Sequence, residues 1–321
     1  MLNKMIKFLR CPKTKQRLII SKNGKSLETV DKIHSYEIVN DIPRFVEKSN
    51  YADNFGMQWN KFLTTQLDSA NKTSISQDRF YSATGWKEKE LKNKWILDAG
   101  CGSGRFAEIA LSAGAKVVAL DYSTAVDATY KNLKNHPNLF IVQADIYSMP
   151  LPENFFDFVY SLGVLQHTPD VEKAFKALIP ILKPKGKICV DFYWKRFRTM
   201  MHSKYILRPI TKRIPKETLF NFLQKHINKL LILSNIIGKV PYFGFALKKL
   251  IPVANYKGIF PLTEKQHLEW SLLDTFDMLS PMYDKPQSAK AVKKFFKSAN
   301  LTDIEIFQAF HLVGRGKKRS S

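Results

Sequence analysis

The sequence predicts an α/β protein built on a doubly wound, mostly parallel seven-stranded sheet. Three observations predict this fold. From Lys94 onward short apolar runs alternate with helical stretches, a glycine-rich turn follows the first run, and two more apolar runs close the chain. We expect a small β-rich module before this core and a helical insertion after its fifth strand.

The elements are expected in the following order. Residues 1–48 alternate apolar runs with turn signals such as Asn23-Gly24 and should form the β-rich module. Residues 49–92 form a helical connector and cap, residues 93–194 the core, residues 195–285 a basic insertion with an acceptor-side cap, and residues 286–321 a closing helix with two strands. The predicted strands are Trp95 to Asp98, Lys116 to Asp121, Leu139 to Gln143, Phe156 to Leu162, Lys187 to Phe192, Ile304 to Phe307 and Phe310 to Val313, and the predicted helices include Phe106 to Ala113, Val171 to Leu182 and Ser288 to Ala299.

The composition is that of an ordinary globular protein. The chain has 321 residues, of which 45% are hydrophobic and 25% charged, so it can bury a substantial core. Its cysteines, Cys11, Cys101 and Cys189, lie far apart without paired spacing, so we expect neither a disulfide framework nor a metal site. The unpaired cysteines fit a reducing cytoplasm, and basic residues that interrupt the apolar ones near the N-terminus predict no secretion signal.

Positive charge is concentrated in one segment. The formal net charge is +23, from 51 Lys and Arg against 28 Asp and Glu. Residues 195–249 contain thirteen basic residues and one acid, Glu217. Such an excess favours a polyanionic partner, which can be nucleic acid, an anionic membrane surface or a phosphorylated substrate.

The most informative motif is the turn Asp98-Ala99-Gly100-Cys101-Gly102-Ser103-Gly104, between the first predicted strand and the next helix. Glycines let the backbone turn tightly and let a ligand approach main-chain N–H groups without side chains in the way. By itself, such a turn also fits a plain tight turn or a dinucleotide site. Cys101 is expected to serve as a small residue of the loop.

Two further acids favour an adenosine-containing ligand. Asp121 ends the second strand, seventeen residues after Gly104, where a carboxylate can accept both hydroxyls of a ribose. Asp145 follows the third strand and precedes Ile146. Asp98, Asp121 and Asp145 therefore fall at the carboxyl ends of adjacent strands, the edge at which open α/β sheets bind ligands.

These residues resemble the class I S-adenosylmethionine-dependent methyltransferase family, over about Lys94 to Phe192 and the two closing strands. The resemblance implies a Rossmann-like methyltransferase fold with S-adenosyl-L-methionine as the cofactor. It places the glycines near the methionine part, Asp121 on the ribose and Asp145 near the adenine, although Asp98 can instead hydrogen-bond loop backbone. The implied cofactor-binding residues are Asp98, Gly100, Cys101, Gly102, Gly104, Asp121, Tyr122, Asp145, Ile146, Ser161 and Leu162.

The main rival ligand is a nicotinamide dinucleotide, which would also use a glycine turn and a ribose carboxylate. The dinucleotide fingerprint is G-x-G-x-x-G, whereas the loop of this chain reads G-x-G-x-G. The spacing therefore favours S-adenosylmethionine over a dehydrogenase cofactor.

Methyl transfer from a sulfonium requires few catalytic side chains, because the leaving group is already activated and positioning can dominate. The stretch after the fourth strand, residues 161–170, lacks the Asn/Asp-Pro-Pro-aromatic motif of enzymes that methylate base amines. It also lacks the cysteine used on pyrimidine carbons. His167 in this stretch is a candidate general base for a hydroxyl acceptor, and a histidine that only supports the loop is the alternative.

Two segments are candidates for the acceptor pocket. Aromatic residues at spacings of four, four and three within residues 51–62 share a helical face, which either packs on the core or lines the pocket. Residues 274–284 are expected to form an acidic, aromatic loop over the cleft, or else a solvated loop with a buried tyrosine. The candidate substrate-binding residues are Tyr51, Trp59, Asp274, Asp277 and Tyr283.

The N-terminal module resembles the small zinc-ribbon-like domains that precede some bacterial methyltransferases. The resemblance lies in Leu9-Arg10-Cys11-Pro12 and Asn40-Asp41-Ile42-Pro43. The metal-binding versions carry paired cysteines, whereas Cys11 stands alone in this module. We therefore expect a ribbon scaffold without metal.

The basic insertion contains an apolar helical stripe with lysines around it. This pattern suits either an interfacial helix beside anionic lipid or a lid helix with a solvated charged face. No stretch is apolar enough to span a membrane, because Lys239 and Pro241 interrupt the longest one. The stripe consists of Leu219, Leu223, Ile227, Leu230 and Leu231.

The predicted function is S-adenosylmethionine-dependent methylation, at oxygen, of a small molecule, a glycan precursor or a lipid-linked metabolite. Peripheral contact with the inner face of an anionic membrane is a hypothesis that the charge supports. RNA methylation is an alternative that the charge also permits, although no RNA-binding motif accompanies it. A binding protein with a catalytically silent cofactor fold is the third interpretation.

Overall fold

A computed structural model describes residues 2–47 and 50–320. The predicted boundary between residues 48 and 49 falls outside the described residues. The N-terminal module packs on the core through Phe8, whose ring lies 5.2 Å from Trp95 and 5.9 Å from Phe140 between centroids. It contains helix α1 (Leu2–Met5) and an antiparallel sheet in the order β1 (Leu18–Ile20), β2 (Ser26–Thr29), β3 (Ser35–Val39) and β4 (Ile42–Pro43).

A helical connector follows the module and packs on the main sheet through Phe80 and Leu91. Trp59 of this connector reaches the glycine loop, because a Cβ atom added to Gly102 would lie 3.0 Å from its ring. The connector comprises α2 (Asp53–Lys61), α3 (Asp68–Asn71), α4 (Ile75–Thr84) and α5 (Glu88–Leu91).

The core is a seven-stranded sheet in the order β10-β11-β9-β8-β5-β6-β7. Five strands are parallel, and β11 pairs antiparallel with both β9 and β10. The predicted fold class is thereby confirmed. The strands are β5 (Trp95–Ala99), β6 (Lys116–Asp121), β7 (Leu139–Gln143), β8 (Phe156–Ser161), β9 (Leu182–Phe192), β10 (Leu301–Ala309) and β11 (His311–Lys318).

Helices cover both faces of the sheet because successive strand residues point to opposite sides. Leu97 of β5 packs in a cluster with Phe175 and Phe296, whereas its neighbour Ile96 packs in a second cluster with Phe80 and Phe106. The core helices are α6 (Arg105–Ser112), α7 (Ala125–Leu133), α8 (Val171–Ala177) and α14 (Ala289–Ser298). The helix predicted for residues 171–182 is thus too long, since β9 already begins at Leu182 and needs that residue buried against the sheet.

The insertion is helical, as predicted, but its apolar stripe does not face outward. Leu219, Leu223 and Ile227 are buried in a third cluster together with Leu273 and Phe276. The interfacial role proposed for this stripe is therefore wrong, because packing against the next helix removes it from any lipid. The insertion helices are α9 (Phe197–Met200), α10 (Ser203–Thr211), α11 (Lys216–Gly238), α12 (Gly244–Leu247) and α13 (Glu264–Leu279).

The prediction of an acidic loop over residues 274–284 is also wrong for the first half of that segment. Thr263 and Gln266 form a reciprocal cap in which each side chain accepts the backbone N–H of the other, at 3.3 and 2.9 Å. From this cap α13 runs to Leu279, so Asp274 and Asp277 are helical residues. Burial of one face of α13 against α11 stabilises the helix along the segment that contains Asp274 and Asp277.

Residues 2–47 and 50–320 contain neither a metal-binding cluster nor a membrane-spanning helix. No group of three or more His, Cys, Asp and Glu side chains is placed to hold a metal ion. No helix of this part of the chain combines the length and apolar character needed to cross a membrane.

Candidate active site

The glycine loop between β5 and α6 is closely surrounded by side chains. Gly100, Gly102 and Gly104 have φ angles of +93°, +54° and +91°, in the region that favours glycine. A Cβ atom on Gly100 would lie 2.4 Å from Val164. A Cβ atom on Gly104 would instead meet Leu133 of α7, so that glycine packs the loop onto the core.

Asp121, at the end of β6, is the acid that faces the loop. Its Oδ2 accepts the N–H of Gly102 at 3.0 Å, and its Oδ1 accepts the N–H and the hydroxyl of Ser123 at 2.8 and 2.7 Å. Burial raises its pKa, although these three donors act in the opposite direction. A carboxylate has about four acceptor positions, so roughly one remains for a ligand hydroxyl unless Ser123 turns away.

Asp98 lies beneath the loop. Its side chain is buried and one of its oxygens has no hydrogen-bond partner among the described residues. Burial, supported by the nearby charge of Asp121, raises its pKa to about 8. At neutral pH this side chain is therefore mostly a protonated, uncharged acid.

The third acid supports the neighbouring wall of the site. Asp145 accepts the N–H of Tyr147 at 2.9 Å and begins the turn that places Ile146 against the cavity. Tyr51 lies across from this turn, with its ring centroid 5.0 Å from that of Tyr122. Burial first, and the charge of Asp145 next, raise the pKa of Tyr51, so its phenol stays protonated.

One continuous cavity of about 640 Å³ runs from the glycine loop to the insertion. This volume lies within the range of about 300–1,000 Å³ that is usual for ligand pockets. At one end are Gly100, Gly102 and Asp121, and at the other are Tyr193 and Asp277. The cavity therefore brings the predicted cofactor residues and the insertion together.

His167 lines the cavity. Its Nδ1 is 2.9 Å from the carbonyl oxygen of Tyr283. A carbonyl can only accept, so Nδ1 carries the proton and Nε2 presents a lone pair. Nε2 is buried and has no partner among the described residues. The rings of Phe55 and Tyr193 hold the imidazole from two sides, at 5.1 and 5.4 Å between centroids.

The cavity wall also contains a buried ion pair that the sequence analysis missed. The Nη2 atom of Arg79 lies 2.8 Å from Oδ2 of Asp191, and the N–H of Gly163 donates to the other oxygen. The Nε atom of Arg79 and both amide atoms of Gln58 are buried without partners in the described part of the chain. Asp191 could have been found, because it is an acid at the carboxyl end of β9, but the two helical residues carry no such signal.

The two aspartates of α13 line the acceptor end and are both hydrogen-bonded. Asp274 accepts from the Tyr256 hydroxyl and from the indole N–H of Trp270, the latter at 3.1 Å. Burial raises the pKa of Asp274 to about 6, with the hydrogen bond of Tyr256 opposing it. Asp277 accepts from the Tyr193 hydroxyl at 3.0 Å.

The structure brings most of the predicted site residues to this cavity. Those that line it are Tyr51, Trp59, Gly100, Cys101, Gly102, Asp121, Tyr122, Ile146, Leu162, His167, Asp274 and Asp277. Those outside its wall are Asp98, Gly104, Asp145, Ser161 and Tyr283. Ser161 instead donates its hydroxyl to the carbonyl of Ala99 at 2.7 Å, which joins β8 to β5.

Residues 97–190 match a protein-family model described as a methyltransferase domain. This part of the chain is therefore similar to methyltransferase domains. The matched residues include the glycine loop, Asp121 and His167, whereas the connector and the insertion lie outside them.

Curated relatives of the methyltransferase domain differ in what their names say they act on. A sterol 24-C-methyltransferase of Pneumocystis carinii (strain B80) is 28% identical over 54% of this chain and 42% of its own length. A tRNA U34 carboxymethyltransferase of Ruthia magnifica subsp. Calyptogena magnifica is 32% identical over 32% of this chain and 34% of its own. A ubiquinone biosynthesis O-methyltransferase of Coxiella burnetii (strain Dugway 5J108-111) is 28% identical over 40% of this chain and 56% of its own length. The chain thus spans less than two thirds of each of these relatives.

Proposed function

We propose that the protein transfers the methyl group of S-adenosylmethionine to an oxygen atom of an acceptor bound at the insertion end of the cavity. One observation carries this proposal. The cavity is unbroken between Asp121 and the glycine loop on one side and His167, whose Nε2 has no partner among the described residues, on the other. A nucleoside ligand and an acceptor hydroxyl can therefore meet beside a base.

The residues present fit the cofactor. Glycines with positive φ expose loop backbone, and Val164 closes on Gly100 so tightly that no side chain fits there. Asp121 keeps acceptor capacity for a ribose hydroxyl, and Ile146 offers an apolar contact for the adenine. The buried, unpartnered Nε of Arg79 is a donor for a carboxylate. When bound, S-adenosylmethionine supplies an activated methyl carbon on a sulfonium leaving group.

His167 acts as the general base in this proposal. The Tyr283 carbonyl fixes the tautomer by accepting from Nδ1, so the basic nitrogen is Nε2. Nε2 accepts the hydroxyl proton of the acceptor, which raises the nucleophilicity of its oxygen. The surrounding aromatic rings exclude water and hold the imidazole in place.

The acceptor belongs to the small-molecule, glycan-precursor or lipid-linked classes. Tyr193 with Asp277, and the amide of Gln58, supply polar contacts among apolar walls, which suits a small organic molecule with a few polar groups. One relative is named for methylation of a sterol and another for O-methylation in ubiquinone biosynthesis, which supports an amphipathic acceptor.

The experiment combines calorimetry with isotope transfer. The wild-type protein should bind S-adenosylhomocysteine, Asp121→Ala should lose this binding, and labelled methyl groups should pass from S-adenosylmethionine into a cell extract. His167→Gln should bind the cofactor product normally but transfer little label, whereas His136→Gln, outside the cavity, should match the wild type. Normal cofactor binding without any transfer would support the silent binding protein instead.

RNA methylation is the second candidate, supported by the net charge of +23 and by the relative named for tRNA U34. Label that enters nuclease-sensitive material, with affinity that falls steeply as salt rises, would favour it. Label that enters nuclease-resistant small molecules would exclude it.

A further inference from the structure

Exposed apolar side chains are concentrated in the insertion. Of the twenty-one large hydrophobic residues that are exposed in the described part of the chain, fourteen fall within residues 197–250. Tyr242 is 100% exposed, Phe197 83% and Phe243 68%. Soluble monomers seldom expose apolar residues at such density, and a patch of this kind marks an interaction surface.

Some of these side chains adjoin residues that line the cavity. Arg196 and Thr199 line the cavity, and Phe197 lies between them in α9. Lys249, next to the exposed Leu250, also lines it. His202, just after α9, lines the cavity as well, so both segments border the same cavity. Burial, and then the charges of Lys204 and Lys249, lower the pKa of His202 to about 4.

We call the exposed apolar residues of these two segments the rim. They share exposure to solvent, and among them Phe197, Met200 and Leu250 directly adjoin residues that line the cavity. The rim consists of Phe197, Met200, Met201, Val240, Tyr242, Phe243, Leu247 and Leu250.

Basic residues accompany the rim. Residues 195–250 contain thirteen Lys and Arg and one acid, Glu217. Lys195 and Lys239 are exposed next to the two segments of the rim. Apolar side chains interspersed with lysines match the interface of an anionic bilayer, where the former enter the acyl boundary and the latter stay among the headgroups.

We propose that the rim docks on the surface of an anionic membrane and opens the cavity toward the bilayer. An acceptor that reaches the cavity through the rim is then an amphipathic molecule whose apolar part stays in the lipid. The docking follows from the surface alone, whereas the class of acceptor rests on the proposed function.

Two other occupants fit the surface less well. A second copy of the chain would bring two segments of strong positive charge together, which repel each other at a symmetric contact. Nucleic acid would pair with the lysines but would leave Met200, Met201 and Leu250 without apolar contact, since aliphatic side chains do not stack on bases as aromatic rings do.

Vesicle co-sedimentation of the full chain tests the docking. The vesicles contain phosphatidylcholine alone or with about a third phosphatidylglycerol, and each is measured at low and at moderate salt. Two rim variants are compared, the apolar Phe197→Ser/Phe243→Ser and the charge-reversed Lys195→Glu/Lys239→Glu. Matched controls on the N-terminal module are Val30→Ser/Ile33→Ser and Lys22→Glu/Lys25→Glu, all at exposed positions.

The proposal predicts tight binding to the anionic vesicles only, weakened by salt. Both rim variants should bind at least tenfold more weakly, both controls within twofold of the wild type, and all five proteins should bind S-adenosylhomocysteine equally. Equal binding to neutral vesicles, or rim variants that bind like the controls, would overturn the docking. If the wild type bound no vesicles but retained RNA or self-associated, and the rim variants lost that property, the docking would be overturned in favour of RNA or of a second copy of the chain.

The acceptor class is tested separately with labelled S-adenosylmethionine. Membrane and soluble fractions of a cell are incubated with the protein, and label should pass into material that an organic solvent extracts from the membrane fraction. Label found only in water-soluble products, with docking intact, would overturn the amphipathic acceptor. No label in either fraction, with cofactor bound, would count against the proposed function and leave the docking in place.

Discussion

Replacing Asp98 with Asn should remove a pH dependence of stability from the protein. Burial raises the pKa of this carboxyl from 3.8 to about 8. Between these values the folded chain keeps a proton that the unfolded chain has released, so the free energy of unfolding falls as pH rises. Each pH unit in this range corresponds to ~1.4 kcal/mol. Between pH 5 and 7.5 the expected loss of stability is therefore ~3 kcal/mol.

Urea unfolding at several pH values between 5 and 7.5 measures this effect. The difference in unfolding free energy between the wild type and Asp98→Asn should change by ~3 kcal/mol across the series, because the amide does not titrate. The raised pKa of Asp274 is common to both proteins and cancels in the difference. Asp303→Asn, at an exposed carboxyl, should follow the wild type. If Asp98→Asn kept the full pH dependence of the wild type, the charge state assigned to Asp98 would be refuted.

Three further changes test the site itself. His167→Gln should lower the rate of methyl transfer, measured by isotope incorporation, by about 10²–10⁴-fold and leave cofactor affinity unchanged. An unchanged rate would mean that His167 only supports the loop. Gly100→Ala should abolish cofactor binding by calorimetry, because its Cβ would lie 2.4 Å from Val164. If Val164→Ala did not restore part of that binding, the clash would not be the cause. Arg79→Met should destabilise the protein by about 3–5 kcal/mol in urea unfolding, since it leaves the carboxylate of Asp191 buried without its ion-pair partner. Adding Asp191→Asn should recover part of this loss. If it recovered none, the ion pair would not be the cause.

The parts of the site that lie close together in sequence were predictable. The glycine loop and Asp121 are placed by the strands directly before them, so alternation of apolar runs was enough to locate both. His167 was found because it follows a predicted strand by a few residues. The free Nε2 was not predictable, because the carbonyl that fixes the tautomer belongs to Tyr283, far along the chain.

The errors came from elements stabilised by distant packing. Residues 274–284 carry Asp, Ser and Pro in the composition of a loop, yet α13 continues to Leu279 because its apolar face is buried against α11. The same contact buries Leu219 and its stripe, which periodicity alone could not distinguish from a lipid-facing stripe. The capping pair Thr263 and Gln266 was a local signal for this helix that the sequence analysis did not use.

The cavity divides into two halves with different origins in the chain, and this division decides what relatives can reveal. The cofactor half, including Gly100 and Asp121, lies within the matched residues 97–190. The acceptor half draws on Gln58 from the connector and on Asp277 from the insertion, both outside the match. Since the acceptor is selected by contacts that the matched domain does not contain, similarity over that domain supports the transferred group but not its destination. The choice of acceptor is therefore to be sought in the connector and the insertion, and the connector joins the two halves because its Trp59 packs against the glycine loop.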